Sequence, residues 1–401
     1  MEESKINKKK SSLVGVSNNL PENLDIIETY LKDSLELKVN KIKEGIYNIQ
    51  WEGKEFEVFI YYLNDINGCL HNFIGRNQYL NEKDLNILKE IEEGIEIEIE
   101  YNEDLLSSFH LHLKLIDLII PDLNAVLDMS SFSILNKEWV KIASRSIITP
   151  SPDYLVNIHG VAMEDETGWY HTHGLERFGF NEVEIKGFPC EDGQLYYPLL
   201  DTFIKNIING NLGEKLKEKE VFWGIQNYPL TLIKDENSIE KEEHHENNLE
   251  IKVYASEEDY SNGIISDITL LKNDLENNPI FYISDEETNR MSILAKEREY
   301  ILFPFLENKN RKVLIKFGLD TDNPEKDGEK EHLWFDIIEE NNKIYKGILI
   351  NAPYFIKNIK EGDILEISRE KMTDWIIYYN EEKITPDTIF LLKEMEKNTI
   401  N

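Results

Sequence analysis

The segment GIEIEIEY, Gly94 to Tyr101, alternates isoleucine and glutamate without interruption. Successive side chains of an extended chain point to opposite faces, so Ile95, Ile97 and Ile99 share one face and the glutamates share the other. Such alternation is typical of a strand with one buried face and one face in water. The segment therefore predicts an antiparallel sheet covered on one side.

The residues before this strand predict its neighbours. The segments IYNIQW (46–51) and EFEVFIYY (55–62) alternate in the same way, and the turn EGK between them predicts a hairpin. A short apolar strand from Leu13 to Val16 comes first, followed by a helix that Asn19 would cap. Another helix is expected near 83–92. Strands and helices in this order predict an α+β fold with antiparallel sheets and helices packed on one face.

A similar order of elements follows in residues 104–163. DLLSSFHLHLKLIDLIIP (104–121) has helical spacing, and strands are expected near 125–128 and in YLVNIHGVAM (154–163). A helix is expected near 134–143. The repetition of the order leads us to treat 13–234 as one α+β domain that can hold two similar halves.

The chain outside this domain differs in composition. With 401 residues it is long enough for two or three domains. Residues 1–12 are polar and basic and predict a disordered tail, while 235–308 combine an acidic linker, with His244 and His245 exposed in it, and a mixed α/β segment. Residues 309–401 contain short strands separated by ENNK and KEGD, then a helix near 387–397. They predict a small β-rich module, a partly open sheet or barrel with a C-terminal helix.

The net charge of −33 limits the classes of partner. Such a surface repels phosphate groups, so neither nucleic acid nor an anionic membrane is an expected partner, and a basic protein partner is compatible with it. No apolar run reaches the roughly 20 residues that span a bilayer, and no secretory signal is recognisable. Two cysteines do not make a disulfide framework, so the chain reads as a soluble protein of the reducing cytoplasm.

The pair His110 and His112 lies in the segment with helical spacing. Positions two apart on a helix do not face each other, so these two imidazoles are not expected to hold one ion. We expect one of them at the edge of the core and the other in water.

The pair His171 and His173 lies in WYHTH, which reads as a strand. Residues two apart on a strand point to one face, so both imidazoles can reach one divalent metal ion such as zinc. Glu182 and Glu184 follow as candidates for a third ligand or general base, and His159 as a further ligand or a partner of the ligands. The alternative is an ordinary sheet, with half-buried histidines and solvated glutamates.

Other chemical signals are weaker. The chain has no glycine-rich phosphate loop, nucleophile elbow or His-Glu-x-x-His motif, and so no firm catalytic residue. Three tryptophans, Trp169, Trp334 and Trp375, are candidate contact residues for a partner, with His332 and Asp374 near the last two. The alternative for these tryptophans is a place in the core.

Two stretches resemble known bacterial families. EHLWFDIIEENNKIYKGILINAPYFIKNIKEGDILEISREKMTDWIIY (331–378) resembles domain of unknown function 2314, and WYHTHGLERFGFNEVEI (169–185) resembles the preceding domain of unknown function 4026. The resemblance implies a two-module protein of low-GC bacteria. It implies no reaction, and no catalytic residue is carried over.

Two functions are compatible with the sequence. The first is a non-catalytic binding or regulatory protein, for example of an immunity or stress system, whose acidic surface meets a basic partner. The second is a divalent-metal hydrolase that uses His171 and His173.

Overall fold

The computed structural model describes residues 10–70, 73, 80, 82–208, 221–223, 228–234, 248–277, 285–307, 312–322 and 329–399. Most of the expected N-terminal tail and most of the acidic linker, with His244 and His245, lie outside these ranges. The chain divides into two units. The first comprises residues 1–140 and 152–282, and the second comprises 141–151 and 283–401.

The first unit begins with a seven-stranded antiparallel sheet in the order β2-β3-β4-β5-β1-β6-β7. Its strands are β1 (Ser11–Val16), β2 (Lys38–Lys43), β3 (Ile46–Trp51), β4 (Lys54–Asn64), β5 (Glu93–Ile99), β6 (Ala125–Asp128) and β7 (Ser133–Asn136). The helices of this part are α1 (Leu24–Asp33), α2 (Ile66–Cys69), α3 (Glu82–Glu90), α4 (Leu105–Ile119) and α5 (Lys137–Ser144).

The isoleucines of β5 lie where their alternation predicts. Ile95, Ile97 and Ile99 are fully buried and pair with β1 on one side and β4 on the other. Helix α4 packs on this face and approaches β1 closely, because a Cβ atom on Gly15 would lie 2.4 Å from Cδ1 of Ile120. The opposite face of β1 and β6 is also buried, in a cluster that includes Val14, Leu127 and residues of α2 and α3. The sheet is therefore covered on both faces at this end.

Three local expectations need correction. Helix α1 starts later than expected, and Asn23 caps it by accepting hydrogen bonds from the backbone of residues 25 and 26. The region expected to be helical from Ile134 first forms β7, and the helix begins at Lys137. Strand β2 was not expected, since its sequence KVNKIK is mostly exposed and has little apolar alternation.

Both histidines of α4 are buried, so the expectation that one lies in water is wrong. The ring of His110 makes an edge contact with Trp51. His112 donates from Nε2 to the carbonyl of Ile97 at 2.9 Å, and its Nδ1 lies 3.1 Å from the hydroxyl of Tyr101. Burial lowers the pKa of His112 to about 3, so it is a neutral hydrogen-bonding residue of the core.

The rest of the first unit forms a six-stranded sheet in the order β11-β12-β13-β10-β9-β8. Its strands are β8 (Asn157–Ala162), β9 (Thr167–His173), β10 (Val183–Pro189), β11 (Val221–Trp223), β12 (Pro229–Lys234) and β13 (Leu249–Val253). The helices here are α6 (Gly193–Ile208), α7 (Glu257–Asn262) and α8 (Lys272–Asn277). Strands β10 and β13 are parallel, so the order and direction of strands differ from those of the first sheet. The similarity of two halves stays a prediction.

A buried ion pair joins the two sheets of the first unit. Asp128 ends β6, and Arg177 lies in the short 3-10 helix Leu175–Phe178 that follows β9. The guanidinium donates from one nitrogen to both carboxylate oxygens, at 2.6 and 2.8 Å, and neither side chain is exposed. Asp128 also accepts hydrogen bonds from Ser130 and Ser131, so the same carboxylate orders the turn between β6 and β7.

The second unit contains a six-stranded antiparallel sheet in the order β17-β16-β15-β14-β18-β19, which is not closed into a barrel in the part of the chain described. Its strands are β14 (Lys312–Asp320), β15 (Lys330–Asn341), β16 (Ile344–Leu349), β17 (Ile364–Ser368), β18 (Met372–Tyr379) and β19 (Glu382–Ile384). The helices are α9 (Asp285–Glu297), α10 (Phe303–Leu306) and α11 (Phe390–Thr399). The open sheet with a terminal helix confirms the predicted character of this module.

Helix α9 holds the sheet of this unit through polar contacts. Trp375 is fully buried, and its indole donates to the carbonyl of Ala295 at 3.0 Å. Arg290 pairs with both Glu287 and Asp387. Trp375 is therefore a core residue, and its burial leaves no surface for the partner contact proposed from the sequence.

Among the described helices, none is both long and apolar enough to cross a lipid bilayer.

Replacing Arg177 by alanine should leave the carboxylate of Asp128 buried and uncompensated. We expect the free energy of unfolding of the first unit to fall by about 3–5 kcal/mol, as measured by urea denaturation. Lys54→Ala is the matched control, since it breaks an exposed pair with Asp104 and should cost less than about 1 kcal/mol. Equal losses for the two variants would contradict a joining role for the buried pair.

Candidate metal centre

The hairpin of β8 and β9 brings three histidines to one face of the second sheet. His159 of β8 lies directly opposite His171 of β9, and His173 lies opposite Asn157. Directly opposed residues of an antiparallel pair point to the same face, and so do residues two apart on one strand. The extended backbone expected for WYHTH is therefore observed, and the pairing with β8 adds His159 to the two histidines of β9.

The three imidazoles are in mutual contact. The ring centroid of His159 lies 4.4 Å from that of His173 and 5.5 Å from that of His171, and the rings of His171 and His173 are 4.9 Å apart. His171 and His173 are buried, and His159 is half-buried. The candidate centre thus has two histidines in the protein interior and one at its margin.

One nitrogen from each of the three rings can be chosen so that all three lie within 4.8 Å of one another. A zinc ion at about 2.0–2.1 Å from each nitrogen would need these atoms roughly 3.3 Å apart in a tetrahedral arrangement. Three neutral imidazoles suit zinc and related transition metals, and they leave a fourth position for water or another ligand.

Neighbouring side chains hold the imidazoles in place. The amide of Asn157 lies 2.9 Å from Nε2 of His159, which fixes the orientation of that ring. Phe132 packs edge-on against His173 with centroids 5.0 Å apart. Phe132 lies in the turn that Asp128 orders, so the buried pair with Arg177 also supports the packing against this histidine. Neither Asn157 nor Phe132 was expected from the sequence.

Glu184 lies on β10 directly opposite His171, so it belongs to the same row of side chains. Its carboxylate accepts hydrogen bonds from the Trp169 indole at 3.1 Å and from Asn248 at 3.3 Å, and it pairs with Lys186 at 2.7 Å. Both oxygens are engaged by these three donors. Glu184 therefore stands beside the centre as a fixed carboxylate, and its role as ligand or base stays a prediction.

Glu182 points to a different place. Its carboxylate accepts from the hydroxyl of Thr172 at 2.6 Å and from the backbone of Gly174 and Glu176 at 2.7 and 3.3 Å. Thr172 faces away from the imidazoles, since it alternates with His171 and His173. These bonds satisfy backbone donors where β9 turns into the 3-10 helix, so Glu182 has a structural task at the turn. Burial raises its pKa to about 7, although all three hydrogen bonds lower it.

The remaining tryptophan candidates lie in different environments. Trp169 is half-buried and packs on His171 with ring centroids 4.3 Å apart, so it forms one wall of the histidine cluster. Trp334 is half-buried in the second unit, where Lys316 lies over its ring at 4.9 Å. Asp374, opposite Lys316 in the same sheet, is buried, and burial raises its pKa to about 6.

The sequence matches models of protein families that have no assigned function. Residues 6–150 match the family described as protein of unknown function (DUF4026) N-terminal, and residues 158–249 match its C-terminal counterpart. Residues 305–399 match DUF2314, described as an uncharacterized protein conserved in bacteria. The chain therefore belongs to the DUF4026 proteins and carries a DUF2314 module after that domain. The three histidines lie within the C-terminal DUF4026 match. Neither a curated protein nor a solved structure matches the chain.

The buried Glu182 predicts a pH dependence of stability. An unfolded glutamate loses its proton near pH 4.3 and the folded Glu182 near pH 7, so in this window the folded state binds the extra proton. The free energy of unfolding should therefore fall as the pH rises from about 4.5 to about 7. Glu182→Gln keeps the shape and removes the titration, and it should be more stable than the wild type above pH 7 by about 1–3 kcal/mol.

Urea denaturation at pH 5 and pH 8 measures both effects. Glu164→Gln, which changes an exposed glutamate of the β8–β9 turn, is the control and should follow the wild type at both pH values. A Glu182→Gln protein with the same pH dependence as the wild type would show that the carboxylate does not titrate in this range.

Proposed function

We propose that this protein is a non-catalytic, metal-dependent binding protein of the bacterial cytoplasm. The observation that carries the proposal is the cluster of His159, His171 and His173, whose nitrogens lie close enough to hold one ion. Zinc is the metal best suited to three imidazoles, and its fourth position is the place where a ligand would bind. The net charge of −33 supports a basic protein as the partner.

The surroundings of the cluster favour binding over catalysis. A general base needs a carboxylate or imidazole that can accept a proton from metal-bound water. Both oxygens of Glu184 are engaged by protein donors, and those of Glu182 are engaged at the turn. Each oxygen of these two carboxylates already accepts from a protein donor, which supports a centre that holds a ligand.

The metal centre predicts about one zinc ion per chain after loading and desalting, as measured by elemental analysis. The double variant His171→Ala/His173→Ala should retain only background zinc, because a single imidazole is a weak ligand. His332→Ala, which removes a histidine of the second unit, is the control and should retain the zinc of the wild type. Cobalt loading adds a test of geometry, since a four-coordinate site gives intense visible absorption. Equal zinc in the wild type and the double variant would remove the basis of the proposed function.

A metal-dependent hydrolase is the second candidate. The observation that favours it is a cluster of three histidines, because three protein ligands are the number found in catalytic zinc sites. Metal-bound water has a pKa near 7 in such sites and becomes a nucleophile at neutral pH.

Hydrolysis of p-nitrophenyl acetate separates the two candidates. The binding function predicts that zinc-loaded wild type and the His171→Ala/His173→Ala variant release p-nitrophenol at the same rate. The hydrolase predicts a zinc-dependent rate that rises with pH towards 8 and is absent from the double variant. Such a rate, lost on chelation and restored by zinc, would replace the binding function by the second candidate.

A further inference from the structure

Strand β8 is the edge strand of the second sheet. Among the described residues it pairs only with β9, and the strand order ends with it. Gly160, Val161 and Ala162 are exposed, and Val161 retains 39% of its surface. A strand with an exposed edge presents unpaired backbone groups to which another extended chain can add.

The register shows which backbone groups of β8 face outward. Met163 donates to the carbonyl of Thr167, its direct partner, at 2.8 Å. In an antiparallel ladder hydrogen-bonded pairs alternate with pairs that are not bonded. His159 and Val161 therefore turn their N–H and C=O groups towards β9, and Ile158, Gly160 and Ala162 turn theirs away from the sheet. Three residues thus form an outward row of donors and acceptors along the edge.

Within the described ranges, this edge lacks the usual protection against strand addition. Proteins guard exposed edges with lysine, proline, bulges or very short strands. The edge strand of the first sheet, β2, carries Lys38, Lys41 and Lys43, and the edge strand β19 has only three residues. The sequence of β8, NIHGVA, contains no charged residue and no proline. Its small residues Gly160 and Ala162 also leave room for a neighbouring chain.

The same strand supplies a ligand of the proposed metal centre. His159 lies in the middle of β8, and its side chain shares a face with His171 and His173. A chain added to β8 would place one of its residues opposite His159 and direct that side chain towards the same face. A donor side chain there would lie on the same face as the three histidines.

We propose that an extended basic polypeptide segment adds to β8 as a further strand and passes beside the histidine centre. The backbone row of Ile158, Gly160 and Ala162 supplies the hydrogen bonds. The exposed acidic residues Glu164 and Glu166 at the end of the hairpin, together with the net charge of −33, select basic side chains and oppose a second copy of this chain. The contact of the peptide with a metal at the histidines rests on the proposed function. Strand addition to β8 does not, and it is tested separately.

The test uses a fluorescein-labelled peptide of alternating valine and lysine with a central histidine, about seven residues long and blocked at both ends. Fluorescence anisotropy measures its binding to the full-length protein. Ala162→Pro removes one outward N–H group, a substitution that an edge strand tolerates. Ala162→Ser keeps that group. We expect Ala162→Pro to weaken binding by at least about tenfold, and Ala162→Ser to stay within about twofold of the wild type.

Three further measurements check that a loss of binding reports strand addition. A fully N-methylated peptide keeps the charge and side chains but has no N–H groups, and it should not bind measurably. Hydrogen exchange at Gly160 and Ala162 should slow when the unmethylated peptide is added, whereas exchange at Val161 is already slow because its N–H faces β9. Thermal unfolding checks that the Ala162→Pro protein is folded.

Equal binding by the Ala162→Pro and Ala162→Ser proteins, or equal binding of the N-methylated peptide, would overturn strand addition. A concentration-dependent dimer that Ala162→Pro dissociates would also overturn it, because a second copy would then occupy the edge. The effect of zinc on peptide binding distinguishes strand addition from the proposed metal-dependent function. Strand addition that is unchanged by zinc and by chelator would keep the proposal and count against the metal centre as the place that the peptide meets.

Discussion

The buried pair of Asp128 and Arg177 is the contact on which the arrangement of the first unit depends. Two charges without exposed surface are costly to desolvate, and their mutual attraction and hydrogen bonds must offset that cost. The carboxylate is at the end of a strand of one sheet, and the guanidinium is on the turn that leaves a strand of the other. A pair of this kind stabilises one relative placement of the two sheets, because any other placement would leave a buried charge unpaired.

This constraint extends to the histidine cluster. Asp128 orders the turn that carries Phe132, and Phe132 packs on His173. Glu182 secures the backbone directly after His173 by accepting the hydrogen bonds of Gly174 and Glu176. The imidazoles of β9 therefore lie next to the end of the hairpin that these contacts hold. A metal centre gains from such support because ligands held in place lose less conformational freedom on binding an ion.

Because β8 is an edge strand, the outer side of the cluster lies beside an exposed strand edge. His171 and His173 are interior residues, while His159 lies on a strand whose other edge is exposed among the described residues. An ion held by all three would lie between a rigid interior and an edge with backbone hydrogen-bonding groups. The proposed metal centre and the proposed site of strand addition both use residues of one hairpin.

The sequence by itself determined the local elements. Alternation in GIEIEIEY placed a buried strand correctly, and the short strands of the last ninety residues or so were predicted because alternation and turn residues are local signals. The extended backbone of WYHTH and its shared face also followed from period two. Helix starts were less well predicted, since Asn19 and Asn23 are both residues that favour the cap position, and the structure uses Asn23.

Only the tertiary structure decided which distant residues meet. His159 joined the other two histidines through strand register, which also placed Asn157 opposite His173, and Phe132 came beside them from another segment. Burial of His112 and Trp375 required knowledge of what packs on each element, because a polar or amphipathic side chain fits either a core or a surface. The placement of residues 141–151 with the C-terminal unit is a long-range contact as well. Periodicity reports a residue's face on its own element, whereas register and packing determine what that face meets.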